Sequence, residues 1–449
     1  MRDKKSNSNA SPAGRNRSAL ADGVRPREVW AWAMYDFANS GYTTVVITAI
    51  YNAYFVGVIA GGAAWGTFVW TATLAVSYLL IMATAPVLGA HVDQHANKKR
   101  WLIVTTLGCV VTTAALGLAS PGDIVLACAL LALSNFFFGT GENLVAAFLP
   151  ELARGRALGK VSGWGWALGY LGGLIALGVC LAYVMHAQGR GLEATHFVPV
   201  TLLITAGLFL LASLPTLLML KERATPQPAA AHSAKAAFAR LAQTLRQAMH
   251  YRDLTRFLIC LVFYQAGVQA VIALAAIYAE QAMGFETQET ITLILAVNVT
   301  AALGALAFGQ LQDRLGHVTT IALTLIGWIA VVLIASTADG RGDFWIAANL
   351  AGLCLGASQS AGRALIGYLS PRNRRGEFFG LWGLAVKLSS ILGPITYGLA
   401  TWLSGGDHRF AFLLTGSYFL IGLALLATVN TRRGRRAAFR AAALRRATG

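Results

Sequence analysis

A spanning helix needs about 20 mostly apolar residues, because a hydrocarbon layer about 30 Å thick offers backbone groups no water to bond. Runs of that length recur along this chain at 33–57, 65–89, 101–119, 124–148, 161–185 and 197–219. After a polar gap they resume at 256–279, 289–311, 318–337, 344–369, 378–403 and 410–430. Twelve such stretches predict an all-α polytopic membrane protein, and an even count puts both termini on one side. Composition agrees with this. Charged residues are 12% of the 449, against roughly 25% in soluble domains, too few to coat water-facing domains.

The net charge of +17 would suggest nucleic acid on a soluble chain, but its placement points to lipid. Of 36 Lys and Arg, 31 fall in the two tails, the central gap and alternate short loops, such as Lys98-Lys99-Arg100. The opposite loops hold Arg190, Arg341 and Arg409. Cytoplasmic loops carry the excess of positive residues, so both tails are expected inside, against an anionic inner leaflet, with no nucleic-acid partner. The bacterial inner membrane is the expected location.

The chain divides into a basic N-tail (1–29), a six-helix bundle (30–220), a linker (221–255), a second bundle (256–430) and a basic C-tail (431–449). Within the linker, Phe238, Leu241, Leu245 and Met249 recur at spacings of three and four, with Lys235, Arg240 and Arg246 off that stripe. This predicts an amphipathic helix on the membrane surface. Cys109, Cys128, Cys180, Cys260 and Cys354 are scattered in apolar runs and form no zinc or redox spacing. His91, Asp93 and His95 alternate without a further clear ligand. With no Walker A loop, HExxH or nucleophile elbow, neither an enzyme nor a cofactor is expected.

The halves repeat in parallel. GAHVDQHANKKR (89–100) follows the second run and GQLQDRLGHVTT (309–320) the eighth. Gly89 and Asp93 match Gly309 and Asp313 at an offset of 220, and Pro150 and Gly159 match Pro371 and Gly380 at 221. The second loop, with Gly309, Leu311, Asp313, Arg314 and Gly316, resembles the major facilitator signature G-x-L-x-D-R-x-G. The first copy departs at His91, Gln94 and Ala96. The stretches WAWAMYDFANSGYTTVVITAIYNAYF (30–55), FLPELARGRALGKVSGWGWALGYLGG (148–173) and RALIGYLSPRNRRGEFFGLWGLAVKLSSILGP (363–394) resemble the "unknown major facilitator" family, relatives of fungal vacuolar amino-acid effluxers linked to autophagy. The resemblance implies two pseudo-symmetric six-helix bundles, solute transport by alternating access and a monomer. It also implies that Gly89, Asp93, Gly309, Asp313, Arg314 and Gly316 form gating loops.

Charge within a span is expensive, so each instance is a functional candidate. Asp36, Glu142, Arg363 and Lys387 stand within the runs. Glu142 and Arg363 are 221 residues apart, on the fourth and tenth spans, and are expected either to pair across the halves as a gate or to belong to a buried pair within one half that only fixes packing. Asp36, Asn39, Ser40, Thr43 and Tyr54 share one face of the first span, expected to look into a cavity. Gln265 and Gln269 are its counterpart on the seventh span; Asn135 and Gln359 share faces with Glu142 and Arg363. These amides suit either a polar solute or hydrogen bonds between helices. Gly165, Gly169 and Gly173 predict close helix approach.

The leading reading is a secondary transporter of a small polar solute. Arg363 and Lys387 would attract the carboxylate of an amino acid or organic acid, with protons as a candidate coupling ion through Asp36 or Glu142. A proton-coupled drug or metabolite exporter is the nearest alternative, and a transport-inactive sensor or scaffold is one of another class.

Overall fold

The computed structural model describes residues 20, 23–152, 157–223, 239, 242, 245–246, 248–370 and 375–438. Among these described residues, twelve long helices carry the fold. In the first half they are α1 (Pro26–Ile59), α2 (Gly66–His95), α3 (Lys98–Leu118), α4 (Ile124–Ala146), α5 (Ala157–Gln188) and α6 (Ala194–Met219). In the second they are α7 (Arg252–Met283), α8 (Thr287–Leu315), α9 (His317–Thr337), α10 (Arg341–Leu369), α11 (Arg375–Leu403) and α12 (His408–Ala427). Among the described residues, eleven are long and apolar enough to cross a membrane. The remaining one, α10, falls on the expected run 344–369. It is 29 residues long, but Arg341, Asp343, Asn349, Gln359 and Arg363 make it more polar than the rest, and it packs against α8 and α9.

The helix ends follow local chemistry. Pro26 opens α1, where a missing N–H costs nothing. Asp407 caps α12 by accepting from Phe410 N at 2.9 Å. Gly284, at φ +64, ends α7. α1 is interrupted by wide turns at Thr43–Ala49 and Phe55–Ile59, a backbone irregularity common at functional sites. Large side chains such as Val125 (84% exposed) and Leu403 (75% exposed) cover the outside. In water such a surface would aggregate; in lipid it is solvated.

Each half is built alike. α1 packs on α5 and α6, α2 on α4, and α3 on α4 and α6. α7 packs on α11 and α12, α8 on α10, and α9 on α10 and α12. The same clasp closes both bundles. Glu28, at the start of α1, accepts from Lys221 N at 3.0 Å and from both terminal nitrogens of Arg223 at 2.6 and 2.7 Å. Asp253, at the start of α7, accepts from Asn430 N at 2.9 Å and from Arg433 at 2.6 and 2.7 Å. The Glu28 carboxylate holds the Arg223 guanidinium above its ordinary value. After α2 the chain turns through Ala96 at φ +49, and 220 residues later, after α8, through Gly316 at φ +85. The first repeat thus keeps a left-handed turn at its alanine, the one non-glycine with positive φ among the described residues.

We call the face where α1 begins and α12 ends the tail face, and the opposite one the far face. Toward the far face the halves meet tightly. Asn52 Nδ2 of α1 donates to Ala273 O of α7 at 3.1 Å and to Thr48 O at 2.9 Å. Phe68 of α2 stacks on Trp402 of α11 with ring centres 5.1 Å apart, and Gly398 gives Thr71 room to approach. Of the linker stripe, Leu245 and Met249 are exposed, while Phe238 and Leu241 lie outside the described residues.

Candidate functional site

Nearer the tail face, the halves touch through charge. Lys387 Nζ of α11 donates to Glu142 Oε2 of α4 at 2.8 Å and lies 5.5 Å from the centre of the Tyr78 ring of α2. Arg363 of α10 lies between two indoles. Its guanidinium carbon is 4.6 Å from the ring centre of Trp166, on α5 of the other half, and 5.3 Å from that of Trp382 on α11. Tyr170, one turn along α5, packs beside Trp166 with ring centres 6.3 Å apart.

The expected contact between Glu142 and Arg363 is therefore corrected: Glu142 takes Lys387. Symmetry gives the reason. Glu142 and Arg363 are 221 residues apart, and so are Trp166 and Lys387. The repeat carries the contact of α4 with α11 onto the contact of α10 with α5. Residues at equivalent positions sit on opposite sides of the pseudo-twofold axis, so each meets the image of the other's partner. One image is an ion pair and the other a cation over an indole. Among the described residues, no carboxylate comes within 4.0 Å of Arg363.

The polar stripe of α1 is mostly engaged in helix packing, another correction. Gly165, Gly169 and Gly173 of α5 make the room that Asp36, Ser40 and Thr44 occupy. Thr43 Oγ1 donates back to Asn39 O at 3.1 Å, and Asn39 and Tyr54 are buried. Asp36 is partly buried, near enough to Arg363 to attract it without forming an ion pair.

The amides divide. Gln265 Nε2 donates to Gln359 Oε1 at 3.1 Å, joining α7 to α10 four residues from Arg363. Asn135 Nδ2 donates to Ser77 Oγ at 2.6 Å within the first half and is fully buried, so it fixes helices rather than facing a cavity. Gln269 is half-buried one turn beyond Gln265. Of the gating loops, Gly89 is exposed and Gly316 forms the turn before α9. Gly309 lies within α8, and the side chains of Asp93, Asp313 and Arg314 lie outside the described residues. Among the described residues no three His, Cys, Asp or Glu side chains gather as a metal site.

Sequence reasoning missed Trp166, Trp382, Tyr170 and Tyr78, which read as ordinary apolar residues of spans. A signal for Trp166 was present, since the offset that relates Glu142 to Arg363 also maps Trp166 onto Lys387.

A family model described as "Vacuole effluxer Atg22 like" matches residues 56–439. An uncharacterized MFS-type transporter, YxiO of Bacillus subtilis, is 27% identical over 406 residues, 89% of this chain and 94% of the relative. Autophagy-related protein 22-1 of Aspergillus fumigatus is 24% identical over 338 residues, 68% of this chain; the chain spans about half of that protein, 54%. Among solved structures, the nucleoside transporter NupG superposes with a TM-score of 0.66 at 12% identity, covering 90% of this chain and 99% of the other. A bacterial homolog of the human lysosomal transporter Spinster superposes with a TM-score of 0.69 at 13% identity, covering 92% and 99%.

Proposed function

This chain belongs to the Atg22-like vacuole effluxer family and is a membrane transporter of the major facilitator type, and from that premise we propose that it carries a small carboxylate solute, an amino acid or organic acid, by alternating access of its two bundles. The observation that carries the reading is Arg363, a cation between an indole from each half with no carboxylate against it among the described residues. A guanidinium offers a planar fork that suits a carboxylate, and the flanking indoles shield it from water and strengthen that attraction. Lys387 is already matched by Glu142, so among the described residues within the spans Arg363 is the cation left to recognise an anion. The solute would touch both halves there, and closure around it would couple its binding to rocking.

The distribution of positive charge supports a topology with both tails in the cytoplasm of a bacterium and the chain in its plasma membrane. The family description favours efflux, from the tail face to the far face. The Trp and Tyr side chains around Arg363 favour, as a second reading, an exporter of larger aromatic compounds. Purified protein in liposomes separates the two. Counterflow of labelled amino acids and dicarboxylates, competed by hydrophobic cations, should show carboxylates exchanging and cations not competing. Exchange of hydrophobic cations alone overturns the reading. Loss of no flux in Arg363→Gln would place recognition elsewhere.

A further inference from the structure

Glu280 takes part in none of the contacts described so far. It lies in the last turn of α7, three residues before Met283, at the far face. The apolar run 256–279 stops one residue short of it. Its Oε1 is enclosed and has no hydrogen-bond partner. The hydroxyls of Thr290 and Thr287, at the start of α8, adjoin it. Thr290 is fully buried, and its Oγ1 is unpartnered too.

The elements packed on α7 are α1, α8, α10, α11 and α12, and their charged groups at this end are engaged elsewhere or exposed. Glu289 of α8 is held by Arg341 of α10 at 2.6 Å, and Arg341 also donates to Gly284 O at 2.9 Å. On α12, Asp407 caps its own helix and Arg409 donates to Ala338 O at 2.7 Å. His408 Nδ1 is 3.0 Å from the Tyr397 hydroxyl of α11, and Tyr278 of α7 donates to Ala335 O at 2.7 Å. Glu286 and Asp343 are exposed, and Tyr54 of α1 is buried. No cation among the described residues comes within 4.0 Å of Glu280.

Its position gives this isolation a use. The next residue, Gln281, lies against Gly57 of α1, where an added Cβ would stand 3.2 Å from Gln281 Nε2. Two turns back along α7, Asn52 bonds Ala273 O. The carboxyl is thus beside the seam of α1 and α7 that shuts the far face.

We infer that Glu280 is a proton-binding site whose occupancy holds the α1–α7 seam shut. An ionised carboxylate with an enclosed, unpartnered oxygen and no cation beside it is disfavoured. The acid form can donate its O–H to the unpartnered Thr290 hydroxyl and needs no cation. Opening the seam admits water, and the proton leaves to the far-side solution. Each closure therefore takes up one proton and each opening releases one. Because the shut form binds more protons, it is favoured as pH falls and lost as pH rises.

This rests on the transporter reading only in requiring a seam that opens and closes, and its test uses no solute. Spin labels at Ser120→Cys and Gly342→Cys, both exposed at the far face, report the opening. They are placed in a Cys128→Ser background, since the other four cysteines are buried. In nanodiscs from about pH 5 to about pH 9, the open-to-shut ratio should rise with pH, by at most about tenfold per unit for one proton. Glu280→Gln should stay shut at every pH. A wild type without pH response, or a Glu280→Gln variant that keeps the wild-type response, overturns the inference. Loss of the response in Asp36→Asn, with Glu280→Gln unaffected, overturns it equally. A failed carboxylate exchange would refute the solute reading and leave this result standing.

Discussion

Breaking the contact between Glu142 and Lys387 should release the bundles from each other near the tail face. Two unit charges 2.8 Å apart attract by about 6 kcal/mol at an effective dielectric constant of about 20. The Glu142 side chain is 43% exposed and that of Lys387 19%, so water screens part of this and desolvation of the lysine opposes more. A net coupling of about 1–2 kcal/mol remains, a factor of about 5–30 between the joined and separated forms. Labels at Ala147→Cys, just past the end of α4, and Gly380→Cys on α11 measure that ratio by electron–electron distance spectroscopy. Glu142→Gln and Lys387→Gln should each lower it by this factor, and the double variant by no more than either alone. Exchange of the charges, Glu142→Lys with Lys387→Glu, should restore most of it, whereas Glu142→Arg with Arg363→Glu should not. If the single effects simply add, with a coupling below about 0.3 kcal/mol, the two side chains are neighbours without being a joint.

Arg363→Lys should reduce carboxylate exchange at least tenfold, because an ammonium neither stacks between indoles nor presents a fork; Trp382→Phe should cost far less, as flux ratios in liposomes will show. Gly172→Val should destabilise the first bundle by about 1–3 kcal/mol, since a Cβ there collides with the Phe37 carbonyl of α1; a lowered melting temperature in detergent checks this, with exposed Gly380→Ala as the neutral control. Asp253→Asn weakens the clasp to Arg433 and Asn430, and should lower stability by about 1–3 kcal/mol without changing the solute profile, measured by thermal unfolding and competition respectively.

Much of this architecture was legible in the residues because lipid imposes one rule on every span. The apolar runs located the helices, and the 31-to-3 split of positive residues predicted alternation. What hydropathy alone left hidden was contact. α10 carries a polar load that composition cannot distinguish from a loop-flanked amphipathic helix; only its packing against α8 and α9 explains it. The charges of Glu142, Arg363 and Lys387 were visible, but opposite signs at an equal repeat offset suggested the wrong partners. Pseudo-symmetry relates such positions without bringing them together. Asp36 and Ser40 read as a cavity face because a helical wheel shows which side is polar and not what lies against it; here it is the glycine row of α5. Glu280 escaped because it stands just past the last apolar residue of its run, where a carboxylate reads as solvated.

The paired clasps at Glu28 and Asp253 bear on how such a protein can be assembled. Since each ties the first helix of a bundle to the segment after its last, every bundle starts and finishes at one spot, and no strand of chain must be threaded through its neighbour. The peptide between them then acts as a tether that raises the local concentration of one piece around the other. Two separately synthesised polypeptides, each clasped on itself, have all the surfaces they need to dock. A six-helix ancestor pairing with its own twin in parallel would have used the same geometry before duplication joined the copies.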